Sequence, residues 1–142
     1  MIAIYKTLKE KEIDSLEKTG NIFNETEVYP RAKFLRKIMK IPYIYLLVPK
    51  IIEKIVKTSY RQSPEGFQIE FVKADRNLCQ FNIKQCIYYN YCKKYEVAEF
   101  CDIFCSGDDV SGAALKPNII FERKNTLARG GEYCDFYYRI KK

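Results

Sequence analysis

The sequence predicts an α+β fold: N-terminal helices followed by a β-β-α-β-β unit whose four strands form an antiparallel sheet packed on helices. Two observations carry this. Apolar residues recur at helical spacing up to about residue 60 and then switch to alternation. Two turn-forming peptides, Ala74-Asp75-Arg76-Asn77 and Ala128-Arg129-Gly130-Gly131-Glu132, each separate two alternating runs. The whole chain of 142 residues reads as one domain, with a helical part at 1–60 and a cysteine-containing part at 61–142.

Each element has its own signal. Residues 1–24 read as a helix, with Ile4, Leu8, Ile13 and Leu16 loosely spaced and Gly20 as its stop. Pro30 suits the first turn of a second helix with Phe34, Leu35, Ile38 and Met39 on its apolar side, and Pro42 interrupts it. Pro49 opens a third, with Ile51, Ile52, Ile55 and Val56 opposite Lys50, Lys54 and Lys57. Ser63-Pro64-Glu65-Gly66 is a turn. Phe67, Ile69 and Phe71 then alternate with polar residues, as do residues 80–86 beyond the next turn. Residues 88–105 return to helical spacing, with Val97, Phe100, Cys101, Phe104 and Cys105 on one side and Gly107 as the stop. Residues 118–127 are a strand with Ile119, Phe121 and Arg123 at one parity. Residues 134–140 close the sheet, with Cys134, Phe136 and Tyr138 on one face.

Composition narrows the chemistry. Histidine is absent, which excludes Ser-His and Cys-His pairs and imidazole metal ligands. The formal charge is +7. Residues 31–60 carry eight basic side chains against Glu53 alone, so this segment holds the entire excess. Such a segment attracts an anion, whether nucleic acid, an acidic membrane face or a carboxylate, or it solvates a helix face. No nucleic-acid reader motif accompanies it, which disfavours nucleic acid as the partner. The longest apolar run, 41–49, contains two prolines and is too short to span a bilayer. With no signal-like N-terminal segment, the expected location is cytoplasmic and the six cysteines are expected to be reduced.

Those cysteines, 79, 86, 92, 101, 105 and 134, all lie in the second half. Cys101 and Cys105 are one helical turn apart. Cys86 ends a strand, Cys134 opens another, and Asp108 and Asp109 follow just past the expected helix end. Three roles stay open for them. They can be small apolar packing. They can hold zinc through Cys86, Cys101, Cys105 and Cys134 with an Asp completing the shell. Or one can be a thiolate nucleophile helped by Asp108 or Asp109. Cys79 and Cys92 read as independent packing residues. Arg123, at inward strand parity, requires a partner: Asp108, Asp135 or a ligand carboxylate.

The segment from Ala98 to Asp108 (AEFCDIFCSGD), the segment from Pro117 to Phe136 (PNIIFERKNTLARGGEYCDF) and Cys86 together resemble the L-2-amino-thiazoline-4-carboxylic acid hydrolase family over about residues 35–142. The resemblance implies site positions at Cys86, Cys101, Cys105, Asp108, Arg123, Thr126, Gly130, Cys134 and Asp135. It implies a hydrolase acting on non-peptide C–N bonds of a cyclic amidine, in which water opens the thiazoline ring of a cysteine-derived carboxylate to give a carbamoyl-cysteine. In that reading Arg123 and Thr126 bind the substrate, with Arg123 on its carboxylate. Asp108 and Asp135 do acid and base work, and Cys101 or Cys105 or a zinc-activated water attacks. More distantly, the order of elements is similar to the four-vinyl-reductase-type small-molecule-binding domain, which implies a non-catalytic ligand sensor with a structural zinc. The implied partner is a small carboxylate, and self-association is left open.

Overall fold

The computed structural model describes residues 1–11, 14–62 and 65–141. Its helices and a four-stranded antiparallel sheet form an α+β architecture. The helices are α1 (Ile2–Glu10), α2 (Ser15–Phe23), α3 (Tyr29–Ile38), α4 (Val48–Gln62), α5 (Ile87–Lys94) and α6 (Cys101–Ala113). The strands are β1 (Phe67–Ala74), β2 (Leu78–Cys86), β3 (Ile119–Glu122) and β4 (Cys134–Ile140), in the spatial order β1-β2-β4-β3. The β1–β2 hairpin turns where Asp75 accepts the amides of Asn77 and Leu78 at 2.8 and 2.9 Å, a side-chain mimic of a backbone turn.

Alternation splits the sheet into two faces. The register sets Phe81 opposite Phe136, Cys79 opposite Tyr138, and Phe121 opposite Tyr138. These side chains share the covered face and stack: Phe81 lies 5.0 Å from Phe136, and Phe121 lies 4.9 Å from Tyr138. Val48, Ile52 and Val56 of α4 and Leu115 after α6 close over them. A second core joins α1, α5 and the start of α6 through Tyr5, Cys92, Val97, Phe100 and Cys101. Tyr5 stacks on Phe100 at 5.1 Å and donates its hydroxyl to Glu99 at 2.7 Å.

Five boundaries differ from the sequence-based expectation, and at the two glycines packing outweighs a local stop signal. Gly20 lies inside α2, where a Cβ would meet Ile103 at 3.3 Å, so its missing side chain admits a neighbour instead of ending the helix. Helix α2 runs through a π-helical turn, Asn24–Val28, straight into α3. The expected helix over 88–105 is two helices, separated where Glu96 takes a left-handed conformation (φ 57°). Gly107 sits within α6, under Val28 and Phe23, so α6 continues to Ala113 and Asp108 and Asp109 are helical residues. The strand expected over 118–127 ends at Glu122, and a 3-10 turn over Leu127–Arg129 leads to Gly130 at φ 82°. Ile13, Ser63 and Pro64 lie outside the described residues.

Two measurements test this packing. A Cβ at Gly112 would overlap the ring of Phe121. Gly112→Ala is therefore expected to cost about 1–3 kcal/mol in denaturant unfolding, despite its better helix propensity. Hydrogen bonds from Tyr5 and Lys9 hold the Glu99 carboxyl down at about 2. That contribution is complete above the unfolded carboxyl range and is lost as pH falls toward about 2. Glu99→Gln should lower Tm by about 1–3 °C at neutral pH and flatten the fall in Tm on the acid side.

Candidate functional site

Arg123 organises the site. It follows β3 directly and keeps the inward parity of Ile119 and Phe121, as expected from the alternation. Its side chain is only 2% exposed. A guanidinium there needs charge and hydrogen-bond partners, and α6 supplies them from three positions on one side. Its Nη2 donates to Asp109 Oδ1 at 2.8 Å and to the Cys105 carbonyl. Its Nη1 reaches Asp108 Oδ2 at a longer 3.4 Å. The Phe136 ring lies beneath it, 5.2 Å from the guanidinium carbon. Both carboxylates are partly open to water, so the ion pair sits with its cation inside and its anions at the rim. Arg129, whose Nε donates to Asp102 at 2.8 Å, comes within 4.0 Å of Asp109.

Asp108 is the electrostatically distinctive acid. Desolvation raises its carboxyl above the usual range, while attraction to Arg123 and to Arg31 of α3 opposes the rise. Arg31 reaches this point because α3 packs on the α6 turn at Gly107.

The thiols gather beside this ion pair. Cys105 interacts with Cys101 on one side and Cys134 on the other, and Cys101 also interacts with Cys92. Cys134 in turn accepts the Leu127 amide at 3.3 Å. Interaction with Cys101, partly countered by Cys134, pushes the Cys105 thiol up to about 12. Cys134 is raised by its contact with Cys105 and by burial. Cys86 occupies the cap position of α5, where the amides of Tyr89 and Tyr88 favour a thiolate, but burial dominates and raises it. Cys92 packs in the second core together with Cys101, and Cys79 is buried in the sheet core. Nothing in the spacing of Cys92 announces this. It follows from the fold of α5 back against α6.

The four-thiol zinc set considered from the sequence finds no support in the arrangement of the thiols. Among the described residues no group of three or more Cys, Asp or Glu side chains is placed to hold a metal ion. Burial and neighbouring thiols favour the protonated forms of Cys105 and Cys134.

Asp135 and Thr126 take up backbone. Asp135 lies on the outward parity of β4, and its Oδ1 accepts the Lys124 amide at 2.9 Å and the Asn125 amide at 2.5 Å. Thr126 is buried; its hydroxyl accepts the Arg129 amide at 3.2 Å and its carbonyl accepts the Gly131 amide at 2.9 Å. Together they fix the β3–β4 connection that carries Leu127 to Cys134. A cleft of about 720 Å³ lies elsewhere, between α4 and β1, lined by Lys50, Glu53, Lys57, Tyr60, Arg61 and Phe71 among others, and none of the cysteines borders it. No described helix is long and apolar enough to cross a membrane.

Asp135→Ala should leave two amides without their acceptor, at a cost of about 1–3 kcal/mol measured by denaturant unfolding, and Asp135→Asn should recover most of it.

No individually curated protein matches the chain. A family model described as L-2-amino-thiazoline-4-carboxylic acid hydrolase matches residues 1–138, beginning well before the segment that carried the resemblance. The chain belongs to the L-2-amino-thiazoline-4-carboxylic acid hydrolase family.

Proposed function

We propose that the chain hydrolyses a cyclic amidine carrying a carboxylate, of the 2-amino-thiazoline-4-carboxylate kind, with Arg123, Asp108 and Cys105 at the reacting centre. The observation that carries this reading is the unequal hold of Arg123 on its two acids: 2.8 Å to Asp109 and 3.4 Å to Asp108. A substrate carboxylate takes Nη1 in place of Asp108, while Asp109 keeps the guanidinium in position.

Displacement has a chemical consequence. Asp108 loses the attraction that lowers its pKa and becomes a stronger base. Cys105, three residues earlier on α6, is half-buried, whereas Cys101 is 2% exposed in the second core. Asp108 takes the Cys105 proton as sulfur attacks the carbon between the ring sulfur and ring nitrogen. A carbamoyl-cysteine product keeps both amidine nitrogens, so the ring bond that breaks is C–S rather than C–N. The proton held by Asp108 goes to the departing ring sulfur. Water then attacks the same carbon, one of its protons going to the former ring nitrogen and the other, by way of Asp108, to the departing Cys105 sulfur, which leaves the urea and restores the thiol. One water is consumed. Asp135 and Thr126 act as positioning residues, holding the loop between Arg123 and Cys134.

A second reading is supported by the cleft between α4 and β1. Its cationic rim and apolar floor of Ile69 and Phe71 suit a carboxylate ligand held without turnover.

Incubation with 2-amino-thiazoline-4-carboxylate should give a product heavier by one water in mass spectrometry. Saturable binding without that product would select the second reading. Cys105→Ser should lower kcat by about 10³-fold or more, and Asp108→Asn by about 10²-fold, with folding intact by circular dichroism. Because the base must be ionised, activity should fall as pH drops through the raised Asp108 value, above the usual carboxylate range, and Asp108→Asn should remove that limb.

A further inference from the structure

We propose that the basic segment joining α3 to α4 is a docking face for an anionic bilayer surface. Three observations converge on it. First, Ile41, Tyr43, Leu46, Leu47, Ile51 and Ile55 are 45–72% exposed, and among the described residues no element covers them. Leu47, Ile51 and Ile55 are four residues apart, so they form one apolar row that runs from the end of the preceding 3-10 turn into α4, on the opposite flank from Glu53 and Tyr60 at the cleft. Ile52 and Val56 already supply the contact with the sheet, so this row is not required by the core.

Second, Tyr43, the most exposed of the six, has a left-handed backbone with φ 61°. A bulky side chain pays strain there. The 3-10 turn that follows, Ile44–Leu47, faces Leu46 and Leu47 outward beside it. The result is an apolar tip with an aromatic ring, the combination that settles at the level of lipid headgroups.

Third, the charge around this apolar surface has one sign. Lys37, Lys40, Lys50, Lys54 and Lys57 are exposed on the two helices that meet at the tip, and Glu53 is the only acid among residues 31–60. Glu53 bridges Lys50 and Lys57 at 2.7 and 2.6 Å, leaving Lys37, Lys40 and Lys54 free of any described ion pair. A second copy of the chain would set these cations against themselves. A nucleic acid would engage the lysines and leave the aliphatic side chains in water. An anionic bilayer answers both: headgroups meet the lysines and the interfacial hydrocarbon receives the tip.

The test is co-sedimentation of the full chain with vesicles of phosphatidylcholine alone and with about 30% phosphatidylglycerol added. The expected result is binding to the anionic vesicles only, reversed by about 0.5 M salt. Leu46→Asp with Leu47→Asp, and separately Lys37→Gln with Lys40→Gln and Lys54→Gln, should each weaken it by about tenfold or more. All five positions are exposed, so unchanged far-ultraviolet circular dichroism and Tm are expected, and tryptic resistance checks each fold. Equal partitioning to both vesicles, no partitioning, or partitioning indifferent to the Leu46/Leu47 change would overturn the proposal. So would a concentration-dependent dimer in sedimentation that the same aspartates dissolve, since a second copy would then own the face.

Discussion

A guanidinium buried at the end of a strand is the constraint from which the site takes its shape. Arg123 cannot be left without partners in an apolar layer, and the sheet itself offers only the face of Phe136. The remaining demand falls on α6, which answers with Asp109, Asp108 and the Cys105 carbonyl. That docking fixes the rotation of α6 about its axis. The rotation in turn brings Cys105 toward Cys134 on the sheet and leaves Cys101 in the second core. Gly112 fixes the helix a second time, lower down, by letting Phe121 come in against the backbone. Charge and steric fit thus act at two points along the same helix, and the thiols lie beyond the charged one.

The sulfurs have a different character from the ion pair. Each is held near another thiol or in apolar surroundings, and most are pushed toward the protonated form. This environment suits packing and a nucleophile that is activated only on substrate binding. It does not suit a standing thiolate. The coupling between the two parts lies in Asp108, which is within reach of Arg123 and shares a helix face with Cys105.

Much of the fold was legible because it is written in period and turn chemistry. Phe67 to Phe71, Cys134 to Tyr138 and the Asp75 turn declare strands and a hairpin without reference to anything distant. Arg123 declared its inward side by parity alone. What escaped were decisions taken by tertiary packing. Gly20 and Gly107 look like punctuation in a linear reading, yet each lies within a helix because Ile103 or Val28 needs the space. The roles of Asp135 and Cys92 were hidden for a related reason: a carboxylate that serves amides ten and eleven residues away, and a thiol that meets its neighbour only when two helices fold together, leave no mark in local spacing.

The π-helical turn between α2 and α3 has a consequence for how this chain tolerates length changes. A π turn contains one more residue than an α turn. Loss of one residue between Asn24 and Val28 would restore ordinary winding and leave everything downstream nearly in phase, because the wide turn already absorbs the extra residue. Arg31 would stay near Asp108. Loss of a residue elsewhere in α2 or α3, where no wide turn takes up the difference, would rotate the helix beyond it by about 100°.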